Sequence, residues 1–390
     1  MSKKTTAILA IILGHLIVDL QSGALPIALP FLKETFSLNY TQMAFIVLVQ
    51  QVMTSVIQPF FGYITDKKSL PHFLSWTAAL GGAGLAFVGY STSYITLLAS
   101  VIFISLASAT YHPQASKTCN LLSDSSNKAR NMGFFSVGGN GGMAIGSFMM
   151  TYLAVQEGGL RNCIYFVIPS ILGFVFLQYA MPEFKRVNFE YNKQQAEKKD
   201  SSKGLGISYF CVFLMLLYIF LRSTLHASVH TYLPIYFMKF RGFDTVTAGS
   251  LVSVFLLSGV AGTFCGAYLT DMLGPKRIIV GSILLSAIPV AFIPYVTAPW
   301  AAMTAVSLAG FFIISSFATT VVVVQGMMPN NVGMASGLTI GFSVGMAGFG
   351  VTILGYLADT IGLPVVLQSL VVLPVLAGLI ASRIPITKKL

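Results

Sequence analysis

The sequence predicts an all-α membrane protein with twelve transmembrane helices arranged as two six-helix bundles. Three observations lead to this prediction. The mean hydropathy of the 390 residues is +0.80 and only 9% of them are charged, whereas a soluble domain carries about 25% charged residues. The apolar residues form runs of about 20, the length that crosses a bilayer as a helix. Two short motifs also recur in the same order in both halves of the chain.

The first six spans are separated by short turns that contain charged residues, glycine or serine. The first span, 6–31, follows Lys3-Lys4 as in a signal peptide. It is long and has no clear cleavage site, so we expect it to remain in the protein. The next spans are 41–65, 71–90, 94–118, 130–155 and 161–181, with their clearest breaks at Asp66-Lys67-Lys68-Ser69, Gly89-Tyr90-Ser91 and Glu157-Gly158-Gly159.

A polar segment divides the chain into halves. Residues 182–204 are polar and charged throughout, which predicts a solvated cytoplasmic linker and no thirteenth element. We therefore expect an N-terminal bundle at 1–181 and a C-terminal bundle at 205–390. The six spans of the second bundle are 205–238, 245–270, 276–295, 299–325, 331–357 and 363–383, with clear breaks at 271–277 and at Pro329-Asn330-Asn331.

The positions of the basic residues predict the orientation. With the N-terminus in the cytoplasm, 18 Lys and Arg residues lie on the cytoplasmic side and 4 outside, in agreement with the positive-inside rule. An even number of spans keeps both termini cytoplasmic. We expect a multi-pass monomer in the lipid bilayer of the plasma membrane, the inner membrane of a bacterium. The net charge of +11 lies at span ends, so no nucleic-acid partner is predicted.

The two halves of the chain repeat. The second span ends in Gly62-Tyr63-Ile64-Thr65-Asp66, and the eighth span ends 205 positions later in Ala267-Tyr268-Leu269-Thr270-Asp271. The stretch Phe135-Ser136-Val137-Gly138 of the fifth span recurs 207 positions later as Phe342-Ser343-Val344-Gly345. Two matches in one order, at nearly one offset, indicate a duplicated six-helix unit with parallel topology.

The aspartate that ends each copy of the first motif is followed by basic residues. A single copy is equally well interpreted as a solvated turn. Its recurrence favours a conformational latch, in which the carboxylate meets the N-terminus of a neighbouring helix or an arginine. The predicted latch residues are Gly62, Asp66, Lys67, Asp271, Lys276 and Arg277.

Glycines spaced by four residues mark one face of spans five and eleven. The rows are Gly138, Gly142 and Gly146, and Gly333, Gly337, Gly341 and Gly345. Such a face lets two helix backbones approach closely. It serves either ordinary tight packing or a surface that slides during transport. The predicted packing residues are Gly138, Asn140, Gly142, Gly341 and Gly345, with Asn140 placed to hydrogen-bond across the face.

Six ionisable residues lie deep inside the predicted spans. An ionised side chain at the bilayer centre costs roughly 2.5–3.5 kcal/mol on insertion scales. His15 and Asp19 share a face of span one, and His112 lies in span four. Span seven carries Arg222, His226 and His230 on one face. Each residue alone is equally explained as a packing or pairing residue, but together they predict one polar cavity.

The chemistry of these residues suggests two roles. Histidine and a buried carboxylate can carry protons, so the predicted proton-coupling residues are Asp19, His15, His112 and His226. The guanidinium of Arg222 suits an anionic group. The predicted substrate-binding residues are Arg222, His230, Gln114 and His112. A small-molecule substrate and protons are therefore the expected partners.

No other chemistry is predicted. The four cysteines have no CxxC or Cys/His spacing, so we predict no metal and no disulfide framework. Nucleotide-binding and hydrolase motifs are absent from the sequence, so neither a cofactor nor an enzyme is predicted.

The twelve spans, the 6+6 repeat, the polar linker and the Gly62–Asp66 motif resemble the major facilitator superfamily. The resemblance implies that helices 1, 4, 7 and 10 line a central cavity. Three stretches are similar to the fosmidomycin-resistance group of efflux transporters. That group often has the sequence His-Pro-Glu where this chain has His112-Pro113-Gln114. The replacement of glutamate by Gln114 removes one possible proton carrier. The three stretches are His15-Leu16-Ile17-Val18-Asp19-Leu20, Tyr111-His112-Pro113-Gln114-Ala115-Ser116 and Arg222-Ser223-Thr224-Leu225-His226.

The predicted function is proton-coupled secondary transport by alternating access. We expect the export by antiport of a small anionic or amphiphilic compound, as in drug efflux and antibiotic resistance. Export of a metabolite or a metal chelator, and uptake by symport, are alternatives within the same fold. A membrane receptor or scaffold without transport is the alternative from another class, and it predicts no substrate-stimulated proton flux.

Overall fold

A computed structural model describes residues 2–200 and 209–386, and the regular structure in these ranges is entirely helical. The first half contains α1 Lys3–Thr35, α2 Tyr40–Lys67, α3 Phe73–Gly89, α4 Tyr94–Leu122, α5 Lys128–Ala154, a 3₁₀ helix Gly159–Phe166, α6 Val167–Tyr179 and α7 Met181–Asp200. The second half contains α8 Tyr209–Arg241, α9 Thr245–Leu273, α10 Pro275–Phe292, a 3₁₀ helix Ile293–Tyr295, α11 Pro299–Ser315, α12 Phe317–Met327, α13 Val332–Ile361, α14 Leu363–Ser369 and α15 Val372–Arg383.

Local sequence explains where the long helices begin. Asn39 and Gln42 form a capping box at the start of α2, with reciprocal hydrogen bonds of 2.8 and 3.0 Å. At the start of α9, the Asp244 carboxylate accepts hydrogen bonds from the backbone of residues 246 and 247. The hydrogen bond from the Thr247 hydroxyl, together with these backbone bonds, holds the pKa of Asp244 below its usual value.

Ten helical segments in the described ranges are long and apolar enough to cross a membrane. Helix α3 is apolar but has only 17 residues. Helix α5 has 27 residues, and its glycines and Asn140 lower its hydropathy. The all-helical multi-span architecture is therefore confirmed, while the count of twelve membrane spans stays a prediction.

Contacts group the chain into two compact units. The first is Met1–Asp124, Phe134–Gly206 and Met328–Gly341, and the second is Ser125–Gly133, Ile207–Met327 and Phe342–Leu390. The beginning of α13 therefore belongs to the first unit, and the beginning of α5 belongs to the second. The core of the first unit includes Leu25, Leu32, Leu85, Ile104 and Phe166.

The predicted linker contains a helix, so the expectation of no further element is wrong. Helix α7 occupies most of segment 182–204, while residues 201–204 lie outside the described residues. Its buried residues recur at helical spacing: Phe184, Val187, Asn188 and Tyr191. The opposite face carries Arg186 between Glu183 and Glu190. The Arg186 guanidinium holds the pKa of the Glu183 carboxyl below its usual value. Helix α7 is therefore packed against the protein through a narrow, mostly apolar stripe, although most of its residues are polar or charged.

Three predicted spans are broken helices. Span 161–181 begins within a 3₁₀ helix, at whose start Gly158 and Gly159 have positive φ angles of 100° and 54°. Span 299–325 is interrupted at Ser316, between α11 and α12. Span 363–383 is divided between α14 and α15. Hydropathy records the length of an apolar run but not these interruptions of its backbone.

Candidate functional site

Three ionisable side chains of the predicted proton-coupling set meet in the first unit. The Asp19 carboxylate lies 3.1 Å from Nε2 of His15 and 3.2 Å from Nε2 of His112, with one carboxylate oxygen facing each ring. All three residues are at most 7% exposed. The i,i+4 spacing on α1 brings His15 to Asp19, and packing of α1 on α4 brings His112 to the same carboxylate. We call these three residues the His–Asp–His cluster.

Both histidine rings are oriented by backbone carbonyls. Nδ1 of His15 lies 2.6 Å from the carbonyl oxygen of Phe135, and Nδ1 of His112 lies 2.6 Å from that of Ser108. A carbonyl oxygen only accepts hydrogen bonds, so Nδ1 carries a proton in both rings. Both Nε2 atoms therefore face the carboxylate, and each is either protonated or has a lone pair directed at Asp19.

Helix α5 forms one wall of the cluster. The Phe135 ring stacks on His15 with a centroid distance of 3.9 Å. A Cβ added at Gly139 would lie 2.5 Å from Nε2 of His15 and 2.7 Å from Oδ2 of Asp19. The absence of a side chain at Gly139 thus leaves the space that the cluster occupies.

The structure places Arg222 on α8 in the second unit. The residue is 4% exposed, and its Nε atom has no hydrogen-bond partner. Its guanidinium carbon lies 5.1 Å from the ring centroid of Phe317, a distance that permits a cation–π contact. Within the described residues, no carboxylate forms an ion pair with Arg222. The second unit therefore contains a buried cation that an anion can neutralise.

The other predicted ligands have varied surroundings. His226 is half-buried with its ring 5.2 Å from that of Phe255, and His230 is exposed. Gln114 is fully buried and donates hydrogen bonds to Thr118 and to Asn188 of α7. Gln114 thus belongs to a network between α4 and α7.

Asp66, at the end of α2, lies at the N-terminus of α13. Its carboxylate accepts hydrogen bonds of 2.9 and 2.8 Å from the backbone N–H groups of Gly333 and Met334. Nζ of Lys117 lies 3.1 Å from the same carboxylate, and both side chains are completely buried. Nζ also donates to the carbonyl oxygen of Thr65 and lies 4.5 Å above the ring of Tyr191. Three chain segments are therefore joined at one carboxylate.

Asp271, at the end of α9, makes the corresponding contact in the second unit. Its carboxylate accepts hydrogen bonds of 3.2 and 3.0 Å from the backbone N–H groups of Ala129 and Arg130, at the start of α5. The donors are the second and third residues of α5, as they are of α13. Lys276 instead donates to the carbonyl oxygen of Ile384, while Lys67 and Arg277 are exposed.

Two glycine rows in the first unit lie against backbone carbonyls. A Cβ on each glycine of the α5 row would press on a carbonyl oxygen of α1, and the first three glycines of the α13 row face α2 in the same way. The α5 pairs are Gly138 with Ile12, Gly142 with Leu16 and Gly146 with Leu20, and the α13 pairs are Gly333 with Gly62, Gly337 with Gln58 and Gly341 with Thr54. Asn140 and Gly345 are half-buried, and among the described residues the Asn140 side chain makes no hydrogen bond.

The family of the chain follows from its sequence. The profile of the Major Facilitator Superfamily matches residues 11–347. The chain belongs to this superfamily. The predicted family resemblance is therefore confirmed, and the protein is a multi-pass membrane transporter.

Two superfamily relatives and one solved structure are similar over nearly the whole chain. The uncharacterized MFS-type transporter YfnC of Bacillus subtilis is 30% identical over 97% of this chain and 93% of its own length. The fosmidomycin resistance protein of Escherichia coli is 29% identical over 96% of this chain and 92% of its own length. The structure of the proton:xylose symporter XylE has a TM-score of 0.77 at 14% identity, and the match covers 99% of this chain and 97% of that one.

Sequence reasoning missed several residues of this superfamily member that the structure brings into contact. Lys117 lies inside the predicted span 94–118, and a lysine at such a position is the available signal for a buried ion pair. Asn188 and Tyr191 lie in the segment predicted as a solvated linker. Their spacing with Phe184 and Val187 was the available signal for a docked helix.

The glycine row of α5 leads to a stability prediction. We expect Gly142→Ala to destabilise the protein by about 1–3 kcal/mol, because the added methyl group collides with the carbonyl oxygen of Leu16. Thermal unfolding of the protein in detergent measures the effect. Gly141→Ala is the matched control, because a Cβ at Gly141 meets nothing within 4 Å. Equal unfolding temperatures for the two variants would contradict the prediction.

Proposed function

We propose that this protein is a proton-coupled secondary transporter that exports a small anionic or amphiphilic compound by antiport. The observation that carries the proposal is the His–Asp–His cluster. An ionisable group within a membrane protein is expensive to bury and usually marks a path for ions or substrate. Asp19 has two buried histidines within 3.2 Å, so a proton can be exchanged among three side chains.

The anionic character of the substrate is inferred from Arg222. A buried guanidinium without a carboxylate partner is unfavourable, and binding of an anion offsets that cost. Arginine also fits carboxylate and phosphate groups through two parallel hydrogen bonds. His230 and His226 lie on the same face of α8 and would contribute polar contacts to the same compound. His112 and Gln114 remain substrate-binding candidates on α4.

Alternating access would use the two aspartate contacts as latches. Asp66 at the end of α2 holds the N-terminus of α13, and Asp271 at the end of α9 holds the N-terminus of α5. Both contacts are hydrogen bonds that can break and re-form. In this proposal, the protein consists of six-helix domains at 1–181 and 205–390, and it moves substrate and protons in opposite directions across the bacterial inner membrane. Both termini lie in the cytoplasm, and the transporter acts as a monomer.

Proton flux in proteoliposomes tests the function. Fosmidomycin, the compound in the name of one relative, is the first candidate substrate. We expect a substrate gradient to change the luminal pH, and a protonophore to abolish this change. The receptor or scaffold alternative predicts no flux. Proton movement in the same direction as the substrate would favour uptake by symport and contradict antiport.

Arg222→Ala provides a test of substrate binding. We expect compounds that raise the unfolding temperature of the wild-type protein to lose this effect in the alanine variant, because the cation that attracts them is gone. Arg222→Lys keeps the charge but not the planar fork, so partial stabilisation is expected. Anionic compounds that stabilise the alanine variant as strongly as the wild type would contradict the role of Arg222.

A further inference from the structure

The His–Asp–His cluster has the composition and spacing of a metal site. Each of its residues offers a ligand atom, and these atoms lie within 4.8 Å of one another. We propose that His15, Asp19 and His112 form a binding site for one divalent transition-metal ion of the Zn²⁺ class. The inference does not depend on which compound the protein transports.

The ligand separations fit a tetrahedral ion. Zn²⁺ binds histidine nitrogen and carboxylate oxygen at about 2.0–2.2 Å, so neighbouring ligand atoms of a tetrahedral site are roughly 3.3–3.6 Å apart. The two nitrogen–oxygen separations in the cluster are 3.1 and 3.2 Å, each to a different oxygen of the Asp19 carboxylate, and one ligand atom from each residue lies within 4.8 Å of the others. Rotation of the Asp19 carboxylate and a closer approach of the two rings would bring the three ligand atoms to the separations of a tetrahedral site.

The orientation of the imidazole rings also favours a metal ion. A metal-binding histidine usually donates its second ring N–H to a carbonyl or carboxylate oxygen, which fixes the tautomer with the free lone pair on the ligand nitrogen. Both histidines have this arrangement, through the carbonyl oxygens of Phe135 and Ser108. In these tautomers the two Nε2 lone pairs and the carboxylate converge, and a cation removes their mutual repulsion.

The ligand types define the class of ion. Imidazole nitrogen with a carboxylate suits Zn²⁺ and Co²⁺, whereas Mg²⁺ and Ca²⁺ prefer oxygen ligands alone. Three protein ligands leave one coordination position for water or another small group. Gly139 lies directly against His15 and Asp19, where a Cβ would collide with both ligands. The sequence predicted no metal site because His112 is on another helix, far from the i,i+4 pair.

Metal titration of the purified full-length protein in detergent is the test. We expect isothermal titration with Zn²⁺ to give one ion per chain. We expect His15→Gln and His112→Gln each to weaken binding by more than about tenfold, because loss of a ligand costs at least as much as loss of a group that orients a ligand. His72→Gln is the control, because it removes an exposed histidine outside the cluster. Size-exclusion chromatography checks that each variant is folded.

Cobalt provides a second measurement that needs no variant. We expect the wild-type protein with Co²⁺ to show the intense visible absorption of a tetrahedral site. The inference is overturned if this absorption is absent, or if both glutamine variants bind Zn²⁺ as tightly as the wild type. Proton-coupled transport without metal binding would contradict only this inference. Metal binding without proton flux would contradict only the proposed function.

Discussion

Asp19→Asn is expected to abolish proton-driven transport while leaving the protein folded. Asparagine has nearly the shape of aspartate but cannot take up or release a proton in the physiological pH range. It also removes the only negative charge of the His–Asp–His cluster, whose two histidines lie 3.1 and 3.2 Å from the carboxylate. Substrate-dependent acidification or alkalinisation of proteoliposomes measures the loss, which we expect to reach the level of empty vesicles.

Two controls make this result specific. Asp124→Asn changes an exposed carboxylate that pairs with Lys4, and we expect transport by this variant to equal that of the wild type. Exchange of labelled for unlabelled substrate without a proton gradient tests whether Asp19→Asn can still change conformation. Wild-type proton flux in the Asp19→Asn variant, across the pH range, would show that another group carries the proton.

Lys117→Met is expected to destabilise the first unit strongly. The side chains of Lys117 and Asp66 are completely buried and 3.1 Å apart. Removing one partner of a buried ion pair typically costs about 3–5 kcal/mol, because the remaining charge is left without its counter-charge. Methionine has similar length, so the loss of volume is small. The unfolding temperature in detergent measures the effect.

A double-mutant cycle identifies the origin of this effect. Lys117→Met together with Asp66→Asn is expected to cost less than the two single changes combined, because no buried charge is then unpaired. Lys4→Met is the control, since Lys4 forms an exposed ion pair with Asp124 and such pairs contribute about 0–1 kcal/mol. Strictly additive effects of the two changes would contradict a direct interaction between Lys117 and Asp66.

Hydropathy predicted the helical segments well because the length of an apolar run is a local property of the sequence. The same reasoning missed α7, since four buried positions among charged neighbours leave the segment polar on average. It placed His15 and Asp19 on one face, because both belong to one helix. It could not pair Asp19 with His112, because helix packing decides which faces meet.

The contact of Asp66 with α13 uses a side chain on one helix and only main-chain N–H groups on the other. Every residue except proline offers such a donor, so the side chains at 333 and 334 are not selected for hydrogen bonding. In an alignment of relatives, the carboxylate would be recognisable and its partner would not. Analysis of correlated substitutions would therefore overlook this contact. The contact is detectable in the sequence only through the requirement for a small residue at 333, where a Cβ would press on Gly62.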